Sequence, residues 1–145
     1  MKRSLGMMAA AAALAMAANG SAFAGPGDPV KVIYHINEGN EQATDGLRNA
    51  SNHLKADPKA KIVFVAHSKG IRFLLDGAKD ANNSPYDAIV QDLAGKGVEF
   101  RLCAFTLERG KIDKSKVIQG VNIVPSGVAE IGLLQAREGF AYLKP

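Results

Sequence analysis

The side chains best suited to chemistry in this sequence stand at the ends of apolar runs. His35 and Asn37 come at the end of VKVIYHIN (30–37), and His67 and Ser68 end KIVFVAHS (61–68). Cys103 lies near the end of VEFRLCAF (98–105), and Ser126 ends VNIVPS (121–126). In an open parallel sheet, ligands bind outside the carboxyl ends of the strands. Four runs of this kind would therefore bring these groups to one rim.

Cys103 is the only cysteine in the chain. It precedes a helical stretch whose first amide groups and positive dipole end favour a thiolate, the nucleophilic form. The opposing reading is a small buried hydrophobe, with Phe100 and Leu102 desolvating the sulfur and raising its pKa. His67 is a candidate proton shuttle or a cation beside the sulfur. For His67 and His35 alike, the plainer reading is a structural histidine, hydrogen-bonded in a loop or strand. His53 falls on the flank of a helical stripe and reads as a solvated surface residue. Ser126-Gly127 lacks the full G-x-S-x-G of a nucleophile elbow, and Ser126 fits a helix N-cap. HSKG (67–70) lacks the further glycines of a phosphate-binding loop. No metal-ligand spacing is present, and no cofactor is expected.

The elements that must hold these groups follow from periodicity. The four runs are rich in β-branched and aromatic residues, as strands are. The second is apolar from Ile62 to Ala66, the pattern of a strand covered on both faces. Between the runs lie helical stripes: Ala43, Leu47, Ala50 and Leu54; then Ile71, Leu74, Leu75 and Ala78; then Tyr86, Ile89, Val90 and Leu93. Ser84 is the expected N-cap of the third, with Pro85 at its first position and Gly95 and Gly97 as its stop. A short fourth helix follows Cys103 and ends near Gly110. A fifth runs from about Ser126 to Gly139, and the tail FAYLKP offers a fifth strand. Strand and helix in alternation predict an α/β/α sandwich on a mainly parallel sheet.

The first 24 residues carry Lys2 and Arg3, an apolar run from Leu5 to Ala18, and Ala22-Phe23-Ala24, the pattern of a secretory signal peptide. Residues 25–145 are then expected as one domain, soluble, periplasmic and without a membrane anchor. Removing Lys2 and Arg3 from the 18 basic residues leaves 16 against 14 acidic ones, and no basic stripe points to nucleic acid. A lone cysteine makes no internal disulfide, so stability must come from the core.

RLCAFTLERG (101–110) followed by NIVPSGVAEIGLLQ (122–135) resembles the DsrE/DsrF-like (YchN/TusD-type) family, which has a cysteine leading to Arg-Gly and a Ser-Gly turn into the last helix. The resemblance implies a three-layer α/β/α sandwich on a five-stranded, mainly parallel sheet and a homo- or hetero-oligomer, commonly a trimer or hexamer. It also implies that Cys103 carries sulfur as a persulfide between a donor and an acceptor protein.

Two functions are thus expected. In one, Cys103 accepts and relays sulfane sulfur, with His67 beside it and His35, Asn37 and Ser126 lining the ligand site. In the other, the rim of a homo-oligomer binds a small ligand without catalysis, and Cys103 is structural. Self-association is expected because Phe73 points away from its helical stripe and the last helix is apolar nearly all round, leaving surplus apolar surface.

Overall fold

The run KIVFVA has no polar face, and it occupies the centre of the sheet. The computed structural model describes residues 25–145, so the signal-peptide assignment lies outside the described residues. Five strands, β1 (Lys31–Ile36), β2 (Lys61–Ala66), β3 (Glu99–Cys103), β4 (Asn122–Val124) and β5 (Ala141–Leu143), pair in the order β4-β3-β2-β1-β5, every pair parallel. Four α-helices accompany them: α1 (Asn40–Ala56), α2 (Tyr86–Gly95), α3 (Ala104–Gly110) and α4 (Gly127–Glu138). The expected three-layer α/β/α sandwich on a five-stranded parallel sheet is the architecture observed.

Successive strand residues point to opposite faces, and the two faces are packed differently. On one, Tyr34, Phe64 and Phe100 stand in register across β1, β2 and β3 and stack at centroid separations of 5.1 and 4.9 Å. Ala43, Leu47 and Ala50 of α1 and Val90 and Leu93 of α2 close over them. On the other, Ile33, Val63 and Val65 meet Ile131 and Leu134 of α4 and Phe140. Arg101 also faces this side and bridges to Glu130 of α4 and to Glu99 of its own strand. The chain must pass from one sheet edge to the other between β4 and β5. α4 makes that crossing obliquely and packs on β3, β2 and β1 on its way.

The second predicted helix is absent. Its place is taken by a 3-10 helix over Ser68–Leu74, then an extended residue at Leu75 and a turn at Gly77, with φ 75°. Leu75 and Lys79 instead form bridges to Val117 and Pro85. The cause lies at Gly70. A Cβ there would stand 2.1 Å from the Ile36 carbonyl oxygen, so the chain presses on the end of β1 and tightens into i→i+3 turns. One consequence concerns Phe73. Rather than adding surplus surface, it is fully buried, edge-on to Phe100 and Tyr86. Of the two grounds for self-association, only the last helix keeps exposed apolar residues, Val128 at 66% and Leu133 at 41%.

Two smaller expectations shift. The helix α2 begins one residue later than its sequence signal, with Pro85 as N-cap, because the Ser84 carbonyl, which would open the helix, instead accepts the Asp80 N–H at 2.9 Å. His53 is half-buried rather than solvated, its Nδ1 3.1 Å from the Tyr34 hydroxyl. No helix among the described residues is long and apolar enough to cross a membrane.

Candidate functional site

Cys103 is the last residue of β3 and the N-cap of α3, with extended backbone angles. Its sulfur is almost covered, at 6% residue exposure. Desolvation by burial is the largest single influence on the thiol and raises its pKa. Opposing it, the Thr106 hydroxyl and the amides of Gly127, Thr106 and Phe105 are placed to hydrogen-bond the anion, and together they hold the thiol below its ordinary value. As a neutral thiol the sulfur donates to the Pro125 carbonyl at 4.0 Å, and the Phe105 N–H is given to that same carbonyl at 3.3 Å. The Thr106 hydroxyl and the Gly127 and Thr106 amides favour the thiolate, and the Phe105 amide, shared with Pro125, adds least.

Thr106 owes its position to spacing. In an α-helix the third residue reaches back over the N-cap, and Cys103-x-x-Thr106 sets a hydroxyl above the sulfur. Thr106 Oγ1 accepts the Ser68 N–H at 3.1 Å, which leaves the single hydroxyl proton for Cys103. Ser68 holds that amide in place from a left-handed conformation, φ 54°, uncommon for a residue with a side chain.

His67 lies on the other side of Gly127. A Cβ built on Gly127 would sit 3.1 Å from His67 Cβ, 3.3 Å from its Cδ2 and 3.4 Å from Cys103 Cβ. Glycine is thus the wedge that lets β2, β3 and the start of α4 converge. Both ring nitrogens of His67 are engaged elsewhere: Nε2 with His35 Nε2 at 2.7 Å and Nδ1 with Ser68 Oγ at 2.9 Å. His35 Nδ1 in turn meets the Tyr142 hydroxyl of β5 at 2.6 Å. The four side chains form one hydrogen-bonded chain that two neutral imidazoles satisfy in either direction.

Charging this chain is unfavourable. Burial lowers the His67 pKa. For His35, burial first, then the neighbouring His67 and the Lys144 ammonium, lower it to about 4, with Glu38 acting weakly the other way. At neutral pH both rings are uncharged, and the groups that favour the thiolate are Thr106 and the amides, with no contribution from a histidine cation.

Of the other expected residues, Ser126 is engaged as the N-cap of α4, its Oγ accepting the Ala129 N–H at 3.3 Å. Asn37 stands at the turn into α1, with its N–H and that of Glu38 given to Gln42 Oε1. Its buried Oδ1 has no partner among the described residues. The structure therefore brings His67 and Cys103 together across Gly127, with His35 joined to them through His67. Thr106, Tyr142 and Gln42 were not singled out from the sequence. Only Thr106 had a signal there, its three-residue offset from the cysteine. Among the described residues no cluster of three metal-ligating side chains occurs.

The model of the DsrE/DsrF-like family matches residues 3–145 of this chain. Among solved structures, the protein of unknown function MTH1491 from Methanobacterium thermoautotrophicum is 32% identical, with a TM-score of 0.70 over 80% of this chain and 99% of that one. The ychN protein from E. coli is 15% identical and shares the fold, with a TM-score of 0.61 over 80% of this chain and 99% of its own. No curated protein matches.

Proposed function

The chain belongs to the DsrE/DsrF-like family, generally linked to sulfur relay, and on that premise we propose that it is a sulfur-handling protein whose Cys103 accepts and relays sulfane sulfur as a persulfide. The observation that carries this reading is the set of donors around the sulfur, which lowers the thiol pKa against its burial. The thiolate attacks the outer sulfur of a donor, an S–S bond forms to Cys103, and the donor's S–S electron pair leaves with its remaining thiolate. An acceptor thiolate then attacks the outer sulfur of the persulfide, and Cys103 returns as thiolate. The two halves balance without an external oxidant or reductant.

The reading extends to a periplasmic setting, supported by the sequence pattern of residues 1–24. It extends also to a partner seated over the thiol. Phe105, 55% exposed, and Val128, 66% exposed, follow closely on Cys103 and Gly127 and give the site an apolar rim. The 6% exposure of Cys103 favours a second reading, a homo-oligomeric ligand-binding module with a structural cysteine. Intact mass after exposure to polysulfide separates the two. The relay reading expects a gain of one or more sulfur atoms, lost on dithiothreitol treatment and absent in Cys103→Ser. An unchanged mass in the native protein, with labelling only after unfolding, supports the structural cysteine instead.

A further inference from the structure

Beside Thr106, the residue whose hydroxyl faces Cys103, lies a cleft of about 320 Å³ lined by Ser68, Lys69, Ile71, Arg72, Arg109 and Ile112. Its charged residues are all cationic. Lys69, Arg72 and Arg109 are exposed, no acidic side chain lines the cleft, and none of the three forms an ion pair with a described residue. This positive charge is local. The first turn of α1 borders a separate cavity lined by Glu38, Glu41 and Asp45. The cationic cleft ends at Ser68 and Thr106, the pair whose hydrogen bond directs the Thr106 hydroxyl to Cys103. Cys103 itself does not line the cleft, so a donor that reaches the thiol past Ser68 and Thr106 would leave its tail among three cations that pair with no described residue.

We propose that Lys69, Arg72 and Arg109 select the sulfur donor of this site, a low-molecular-weight sulfane-sulfur compound whose tail is anionic, carboxylate or sulfonate. The inference rests on the sulfur-handling reading of Cys103 and adds the substrate class. Guanidinium groups present paired donors that match carboxylate and oxyanion geometry, and unpaired cations along an entrance raise the local concentration of anions. With a persulfide donor, the Cys103 thiolate takes the outer sulfur and the donor leaves as an anionic thiolate. With thiosulfate it takes the sulfane sulfur and sulfite leaves with the electron pair.

The test compares donors that differ in tail charge, each followed as the rate at which Cys103 gains one sulfur by intact mass. Glutathione persulfide and thiosulfate carry anionic tails, and cysteamine persulfide a cationic one. At low ionic strength either anionic donor is expected to load about tenfold faster than the cationic one, an advantage that shrinks in salt and is abolished in Arg72→Glu/Arg109→Glu. Faster loading from thiosulfate assigns an inorganic oxyanion, and faster loading from glutathione persulfide a carboxylate tail. Alkylation supplies a readout independent of sulfur transfer. Iodoacetate should gain on iodoacetamide in the folded wild type relative to the urea-unfolded chain, and lose that gain in the double variant. A preference that is absent, or that survives charge reversal, overturns the proposal. If no donor loads Cys103 but the iodoacetate preference is present and reversible, the sulfur-handling reading fails and the cleft stands as an anion selector.

Discussion

At Cys103 two physical effects of opposite sign meet within a few ångströms. Burial penalises the anion, while the Thr106 hydroxyl and three amides are arranged for it, and the latter prevail. Thr106→Val keeps the shape and removes the hydroxyl. Loss of one hydrogen bond to a charged acceptor should slow alkylation of the folded protein at pH 7 by about tenfold, measured as a pH–rate profile against the unfolded chain. An unchanged profile would assign the effect to the amides alone. The histidines make a separate prediction. His35 is lowered from 6.5 to about 4, and His67 is lowered too, so between these pH values the unfolded chain binds more protons than the folded one. Stability is then fully present above pH 6.5 and falls as pH drops toward 4. Denaturant unfolding followed between pH 4.5 and 7 should show that decline in the wild type and a shallower one in His35→Gln. Glu38 and Asp113, held below their ordinary values by Lys144 and Ser115 respectively, add a loss of the same sign at the acid end of the series, and His35→Gln leaves that part in place.

Among the elements, the 3-10 helix over Ser68–Leu74 has the largest bearing on the site, because it places Ser68 over Thr106 and presses Gly70 onto β1. The contact is backbone to backbone. Besides the Ile36 carbonyl oxygen at 2.1 Å, an added Cβ would meet the Ile36 carbonyl carbon at 2.4 Å and the Asn37 nitrogen at 2.6 Å, and none of these can swing aside. Gly70→Ala should therefore cost about 3 kcal/mol of stability by denaturant titration, in the range of overpacking and strained-backbone substitutions. Ser126→Ala, which removes only the cap of α4, should cost about 1 kcal/mol. If the two variants were equally mild, the end of β1 would be more yielding than its packing indicates.

At the scale of the whole molecule, one face of the sheet is sealed by α1, α2 and the 3-10 helix, while α4 alone packs on the other. Val128 and Leu133 of α4 stay exposed there, as does Tyr142 of the edge strand β5, while Leu143 is exposed on the opposite face. Exposed apolar surface of this kind favours self-association. Light scattering at micromolar concentration should give a mass of at least two chains, reduced to one by Val128→Asp/Leu133→Asp. A monomeric wild type would withdraw the claim.

The alternation of strands and helices, the cover of KIVFVA on both faces and the junction of β3 with α3 at Cys103 were all legible in the sequence, because each depends on local period and on which faces can be apolar. The start of α4 at Ser126-Gly127 was legible for the same reason, since a cap is a local hydrogen bond. Contacts between distant segments were not. His35 and His67 stand 32 residues apart, and only the parallel register of β1 on β2 brings their rings together. Tyr142 joins them from the last strand, 107 residues after His35. The stripe of Ile71, Leu74, Leu75 and Ala78 had a helical period, yet the close approach of Gly70 to β1 overrode it and turned Phe73 inward. Local periodicity constrains a segment only against its own neighbours in the chain, whereas steric contact and shared protons arise between segments that meet only when the sheet has assembled.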